Sequence, residues 1–130
     1  MGQWWRENII EGTRAGDIIP DLAPRSSDKV VTKHRYSAFF DTDLQTVLRS
    51  LRIEDLVICG VMTNMCVEST ARDAYFRDYR SFIPADATGA PTEEMHCASL
   101  LNLAYGFARV TTTAAIVQQM ERSWRRQGAA

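Results

Sequence analysis

The run Leu56-Val57-Ile58-Cys59-Gly60-Val61 constrains the fold more than any other stretch of the chain. It lacks the polar alternation of a half-solvated strand and reads as a strand buried on both faces, as in a parallel sheet covered by helices. A polar turn follows at Met62-Thr63-Asn64. Beyond it Val67, Thr70, Ala71, Ala74 and Tyr75 take the i, i+3, i+4, i+7 and i+8 positions of one helical face. Strand, tight turn and helix in that order place Cys66 in the first helical turn. Backbone N–H groups at a helix start lack internal acceptors and carry partial positive charge. Such a setting favours a thiolate and can hold the oxyanion of a tetrahedral intermediate, the logic of a nucleophile elbow. The other use of a cysteine there is as a small buried apolar side chain.

The remaining chain alternates strand and helix signals. Residues 1–28 have no regular period and are punctuated by Gly12, Gly16, Pro20 and Pro24, so they read as loops with short turns. The adjacent Trp4 and Trp5 are either docked or at a pocket mouth. Val30 to Lys33 reads as a short β-branched strand, and His34 to Phe40 as a loop. Thr42 would cap a helix from Asp43 to about Arg52, with Leu44, Val47, Leu48 and Leu51 on one face. Arg80 to Ala87 reads as another strand, with Phe82 and Ile83 buried and Pro84 near its end. Asp86 follows at the carboxyl end, where ligands sit in open α/β sheets. Thr92 would cap a helix with Glu93 and Glu94 in its first turn, Met95, Ala98, Leu101 and Leu103 in the core, and Gly106 just past its end. Phe107 to Thr112 is the last strand. A terminal helix follows, with the stripe Ile116, Val117, Met120 and Trp124; Arg122, Arg125 and Arg126 complement its dipole. His34 reads as an exposed side chain and His96 as a hydrogen-bonded structural one. Strands joined by helices imply an α/β fold with a parallel sheet.

The 130 residues are 45% hydrophobic and 24% charged with a net charge of −1, which suits one soluble domain, residues 1–130. Near-neutral charge argues against a nucleic-acid or membrane-surface partner. No apolar run approaches the roughly 20 residues that span a bilayer, and the N-terminus lacks the apolar core of a signal peptide. The three cysteines Cys59, Cys66 and Cys97 are odd in number, which points to reduced thiols and a cytoplasmic setting.

Two stretches carry a resemblance. GVMTNMCVESTARDA (60–74) and VVTKHRYSAFFDTDL (30–44) resemble the motifs of the isochorismatase-like cysteine hydrolases, which include nicotinamidases, N-carbamoylsarcosine amidases and ureidoacrylate amidohydrolases. The likeness runs from about Gly12 to Val117, with its core at 29–118. It implies a three-layer αβα, Rossmann-like fold that cleaves a small amide or ureide C–N bond, with a small molecule as substrate and no cofactor or metal. By resemblance Cys66 is the nucleophile, Lys33 stabilises negative charge, and the backbone N–H groups of Met62 and Cys66 form the oxyanion hole. The Val61–Met62 peptide would be cis, and Tyr36 and Phe39 would line the pocket. The family's general base is an aspartate ending an apolar first strand. Nothing in residues 1–28 matches that strand, since Asp17 follows a glycine and Asp21 a proline. Asp73 and Asp86 are not expected to reach Cys66. The chain therefore reads as N-terminally truncated relative to the family. Either its activity is impaired and a homo-oligomer completes the sheet, or it is an inactive relative serving as an oligomerisation or interaction module.

Overall fold

A computed structural model of the protein describes residues 12–127, with side chains through Arg125. Trp4 and Trp5, and the side chain of Arg126, lie outside the described residues. The chain divides into two compact units, Met1–Val30 and Val31–Ala130.

In the first unit the described residues form turns, as the glycine and proline spacing predicts. The Gly16 amide donates to the Thr13 carbonyl at 2.8 Å, and a 3₁₀ turn spans Pro20–Leu22. The Arg25 amide donates to the Asp28 carboxylate at 2.8 Å.

The second unit contains α1 (Leu44–Ser50), β1 (Asp55–Val57), β2 (Gly60–Val61), a π-helical turn at Thr63–Val67, and α2 (Glu68–Tyr75). It continues with β3 (Arg80–Pro84), a 3₁₀ turn at Ala85–Ala87, β4 (Thr88–Gly89), α3 (Glu93–Gly106), β5 (Arg109–Thr111) and α4 (Thr113–Gln127). The main sheet is parallel throughout, in the order β1-β3-β5, with Leu56 opposite Ser81 and Ile83 opposite Val110. Each step crosses over through a helix, which is the expected α/β class. Beyond the carboxyl ends, β2 and β4 form a separate parallel pair, with Val61 opposite Gly89.

One sheet face is well covered. Val67, Ala71, Ile83 and Leu103 form one buried cluster; Phe39, Ala74 and Tyr79 form another, and Ile58 packs against both. The opposite face departs from the expected two-sided burial. Strand side chains alternate between faces, and while Leu56 is half-buried on the helix side, Val57 is 48% exposed. Val57, Phe82 and Thr111 open instead onto a cavity of about 670 Å³, whose far wall is α4 with Ile116, Met120 and Trp124. The apolar stripe of α4 is correspondingly open, with Trp124 81% exposed.

Several boundaries also differ. Val30 to Lys33 joins no ladder among the described residues. The 56–61 run splits into β1 and β2, although the Ile58 amide still donates to the Phe82 carbonyl at 3.0 Å. The expected 80–87 strand ends at Pro84, where the chain enters the 3₁₀ turn. Helix α1 starts one residue late: Asp43 is the N-cap residue, and the Thr42 hydroxyl accepts from the Leu44 amide at 3.3 Å. Leu51, the C-cap of α1, is exposed rather than core. Thr92 caps α3 as expected, accepting from the Met95 amide at 3.3 Å. The buried side of α3 is Ser99 and Leu103, with His96, Leu100 and the following Phe107 half-buried. Met95, Ala98 and Leu101 are exposed; Leu101 faces outward because two residues' separation from Leu103 turns the helix by about 200°. Gly106 is the last helical residue and Phe107 the C-cap.

Candidate active site

The Cys66 turn lies beyond the carboxyl end of β1. Gly60, at φ +107°, makes the bend that only glycine adopts without strain. The Val61–Met62 peptide is cis, as the family motif implies, and Met62 is extended at φ −96°, ψ 145°. The carbonyl of Met62 accepts from the amides of Met65 at 3.1 Å and Val67 at 3.2 Å. Cys66 therefore sits in the π-helical turn that runs straight into α2, not in the first turn of α2 itself. Burial at both ends fixes that turn. Val67 belongs to the core, and Thr63, wholly buried, shares a hydrogen bond of 2.9 Å with His96 Nδ1. Between these anchors Cys66 is half-buried.

Lys33 meets it from the opposite part of the chain. Its Nζ donates to Cys66 Sγ at 3.3 Å and to the Arg35 carbonyl at 2.8 Å. The two motif stretches are thus joined at their reactive atoms. An ammonium held against sulfur is placed to stabilise negative charge on that atom.

The loop after Lys33 is fastened to α2. Ser37 Oγ donates to Asp73 Oδ2, and the Ala38 amide donates to Thr70 Oγ1 at 3.0 Å. Tyr36 is 50% exposed. Phe39 does not line an opening: it is 5% exposed and stacked on Tyr79, with ring centroids 5.8 Å apart. The motif reading gives Ser37 and Thr63 no role, places Thr70 only on a helical face, and weighs Asp73 only as a carboxylate too far from Cys66 to act on it. Their presence inside the two motif stretches is the available signal for the fastening they make.

The nearby carboxylates are engaged elsewhere. Asp73 also accepts from Arg77 at 2.9 Å. Glu68 pairs with Arg72 at 2.6 Å and accepts from Ser99 Oγ. Asp86 accepts from the Thr113 amide at 2.7 Å and the Thr113 hydroxyl at 3.0 Å, so it holds the start of α4. Those bonds, the amide's first, keep its carboxyl below the ordinary value. Bonds from its own amide and from Thr92 do the same for Glu94. Among the described residues, no carboxylate is a hydrogen-bond partner of Lys33 or Cys66, and no set of His, Cys, Asp and Glu side chains gathers as a metal ion would need. His34 is exposed. No described helix is long and apolar enough to cross a membrane. The cavity beside α4 is lined by neither Lys33 nor Cys66.

Comparison with known proteins gives a consistent result. The family model described as the isochorismatase domain matches residues 2–115. The chain is 40% identical over 111 residues to nicotinamidase 3 of Arabidopsis thaliana, covering 83% of this chain and 56% of that protein. It is 42% identical over 106 residues to the ureidoacrylate amidohydrolase RutB of Acinetobacter baylyi, covering 81% and 43%. It thus spans about half the length of these relatives. Among solved structures, an isochorismatase-like hydrolase from Alkaliphilus metalliredigens superposes with a TM-score of 0.82 at 39% identity, covering 85% of this chain and 60% of that one. The N-carbamoylsarcosine amidase of Thermoplasma acidophilum gives 0.74 at 31% identity, covering 84% and 62%.

Proposed function

The chain belongs to the isochorismatase family, and we propose that it carries the cysteine–lysine part of a hydrolase site for a small amide or ureide. The observation that carries this reading is the 3.3 Å contact between Lys33 Nζ and Cys66 Sγ. Relatives named for nicotinamide and ureidoacrylate hydrolysis support the substrate class. The Cys66 thiolate attacks the carbonyl carbon, and the amides of Met62 and Cys66 hold the resulting oxyanion. The C–N bond breaks, the nitrogen leaves with a proton, and water hydrolyses the thioester to return the thiol. Lys33 stabilises the negative charge and Tyr36 borders the substrate. Phe39 serves by packing the loop against Tyr79.

Protonating the leaving nitrogen and deprotonating the water each call for a positioned acid or base, worth roughly 10²–10⁴-fold in rate. Asp73 and Asp86 are committed to Ser37, Arg77 and Thr113, so this chain by itself turns over slowly. The test is a panel of small amides and ureides, with Cys66→Ala as blank. Weak Cys66-dependent hydrolysis is expected, rising by about 10²-fold or more when a segment carrying the family's acidic strand is fused in front. Hydrolysis unaffected by Cys66→Ala would overturn the proposal.

A second reading, an inactive relative acting as an oligomerisation module, draws on the uncovered face of Val57, Phe82 and Thr111 and on exposed Trp124. Self-association that covers this face is compatible with either reading.

A further inference from the structure

We propose that Ser37, Thr70 and Asp73 are positioning residues that hold Lys33 on Cys66, a role resting on the nucleophile reading of Cys66. Lys33 is a long, exposed side chain on backbone that joins no ladder among the described residues. Within its own segment its ammonium is held only by the Arg35 carbonyl, at 2.8 Å, and ordering such a side chain opposes the contact with sulfur. The specification comes from the next few residues. The Ala38 amide is bound to Thr70, one helical turn after Cys66, and Ser37 is bound to Asp73, a further turn on. Both acceptors lie on the helix that continues directly from the Cys66 turn, so loop and sulfur share one rigid support.

The fastening closes on itself. Asp73 uses Oδ2 for Ser37 and Oδ1 for Arg77, and the Arg77 guanidinium lies 5.0 Å over the Phe39 ring. The Phe39 amide returns to Ser37 Oγ at 3.1 Å. Arg77 also donates to Gln45 Oε1 of α1 at 3.2 Å. These bonds are part-buried or buried, where charge-assisted hydrogen bonds hold geometry better than they do in open water. A loop anchored this way presents Lys33 at a fixed place. A loop without the ring would leave the ammonium to solvent.

The test reads the alkylation rate of each cysteine by iodoacetamide at about pH 6.5, below the ordinary thiol range, by peptide mass spectrometry. The exposed Cys59 and Cys97 serve as internal references. Ser37→Ala is expected to slow Cys66 alkylation about threefold, as Lys33→Ala does, while Cys59 and Cys97 keep their rates. The Ser37→Ala/Lys33→Ala double variant should be no slower than Lys33→Ala alone. Asp73→Asn, which keeps an acceptor for Ser37 but loses the carboxylate pairing with Arg77, should fall between wild type and Ser37→Ala. Thr70→Val removes the second fastening and should reproduce Ser37→Ala; it stands in should Ser37→Ala fail to fold, judged by circular dichroism. A Ser37→Ala protein that melts lower yet alkylates Cys66 at the wild-type rate relative to Cys97 overturns the positioning role. A slowing that adds to that of Lys33→Ala overturns it too. A Lys33→Ala protein that alkylates like wild type removes the nucleophile reading first, and the positioning role with it.

Discussion

Replacing Lys33 by alanine removes one positive charge 3.3 Å from the Cys66 sulfur. Two unit charges at that separation interact by about 1 kcal/mol in a water-like medium and about 5 kcal/mol at an effective dielectric of 20. Lys33 is exposed and Cys66 half-buried, so screening puts the value near the lower figure. An attraction of about 1 kcal/mol between ammonium and sulfur is worth about fivefold, and part of it is offset because a thiolate stabilised by a cation is a weaker nucleophile, with a Brønsted slope of about 0.4–0.5. The net expectation for Lys33→Ala is an alkylation rate at Cys66 about threefold lower, with Cys59 and Cys97 unchanged. Pseudo-first-order kinetics of iodoacetamide labelling, resolved by site, measure this directly. Lys33→Arg, which keeps a charge, should fall between the two. An unchanged or faster Cys66 rate in Lys33→Ala would refute the electrostatic reasoning.

Leu103→Ala removes a wholly buried side chain packed with Val67, Ala71 and Ile83 and should cost about 2–5 kcal/mol in a urea melt; Leu101→Ala, outward-facing on the same helix, should stay within about 0.5 kcal/mol. Asp86 has a folded-state carboxyl held below its ordinary value near 3.8 by Thr113. Its contribution to stability is therefore present above that value and lost as pH falls through the lower, folded one. Asp86→Asn should melt below wild type at about pH 6, and the gap should close in strong acid; a gap independent of pH would contradict the assignment. Size-exclusion chromatography with light scattering should find self-associated protein at micromolar concentration, and Trp124→Ser should shift it toward monomer. A monodisperse wild-type monomer would argue against covering of the α4 face.

The element order around Cys66 was readable because it rests on local patterns: an apolar run, a polar turn, then a 3.6-residue period. The role of Lys33 is legible only through its motif, since the β-branched pattern around it predicts a strand that joins no ladder among the described residues. The α3 face was misjudged because Met95, Ala98, Leu100, Leu101, Leu103 and Ala104 surround the helix, so apolarity alone selects no side. Burial of β1 on both faces failed for a different reason. An apolar run states that a cover is favourable, not that one is present, and α4 leaves a cavity where cover was expected. The Ser37–Asp73 and Thr63–His96 bonds join positions 36 and 33 residues apart. Pairings of that kind emerge only once the helices are packed.

The central claim is that Cys66 is the nucleophile. It is tested most directly by treating the protein with p-nitrophenyl acetate and locating the acetyl group by mass spectrometry within the first moments of the reaction. With no carboxylate bonded to Lys33 or Cys66 among the described residues, deacylation should be slow, and a single acetyl thioester should accumulate on Cys66. It should be absent from Cys66→Ala and reduced in Lys33→Ala. Acetylation spread evenly over Cys59, Cys66 and Cys97, or appearing first on either of the other two, would contradict the account.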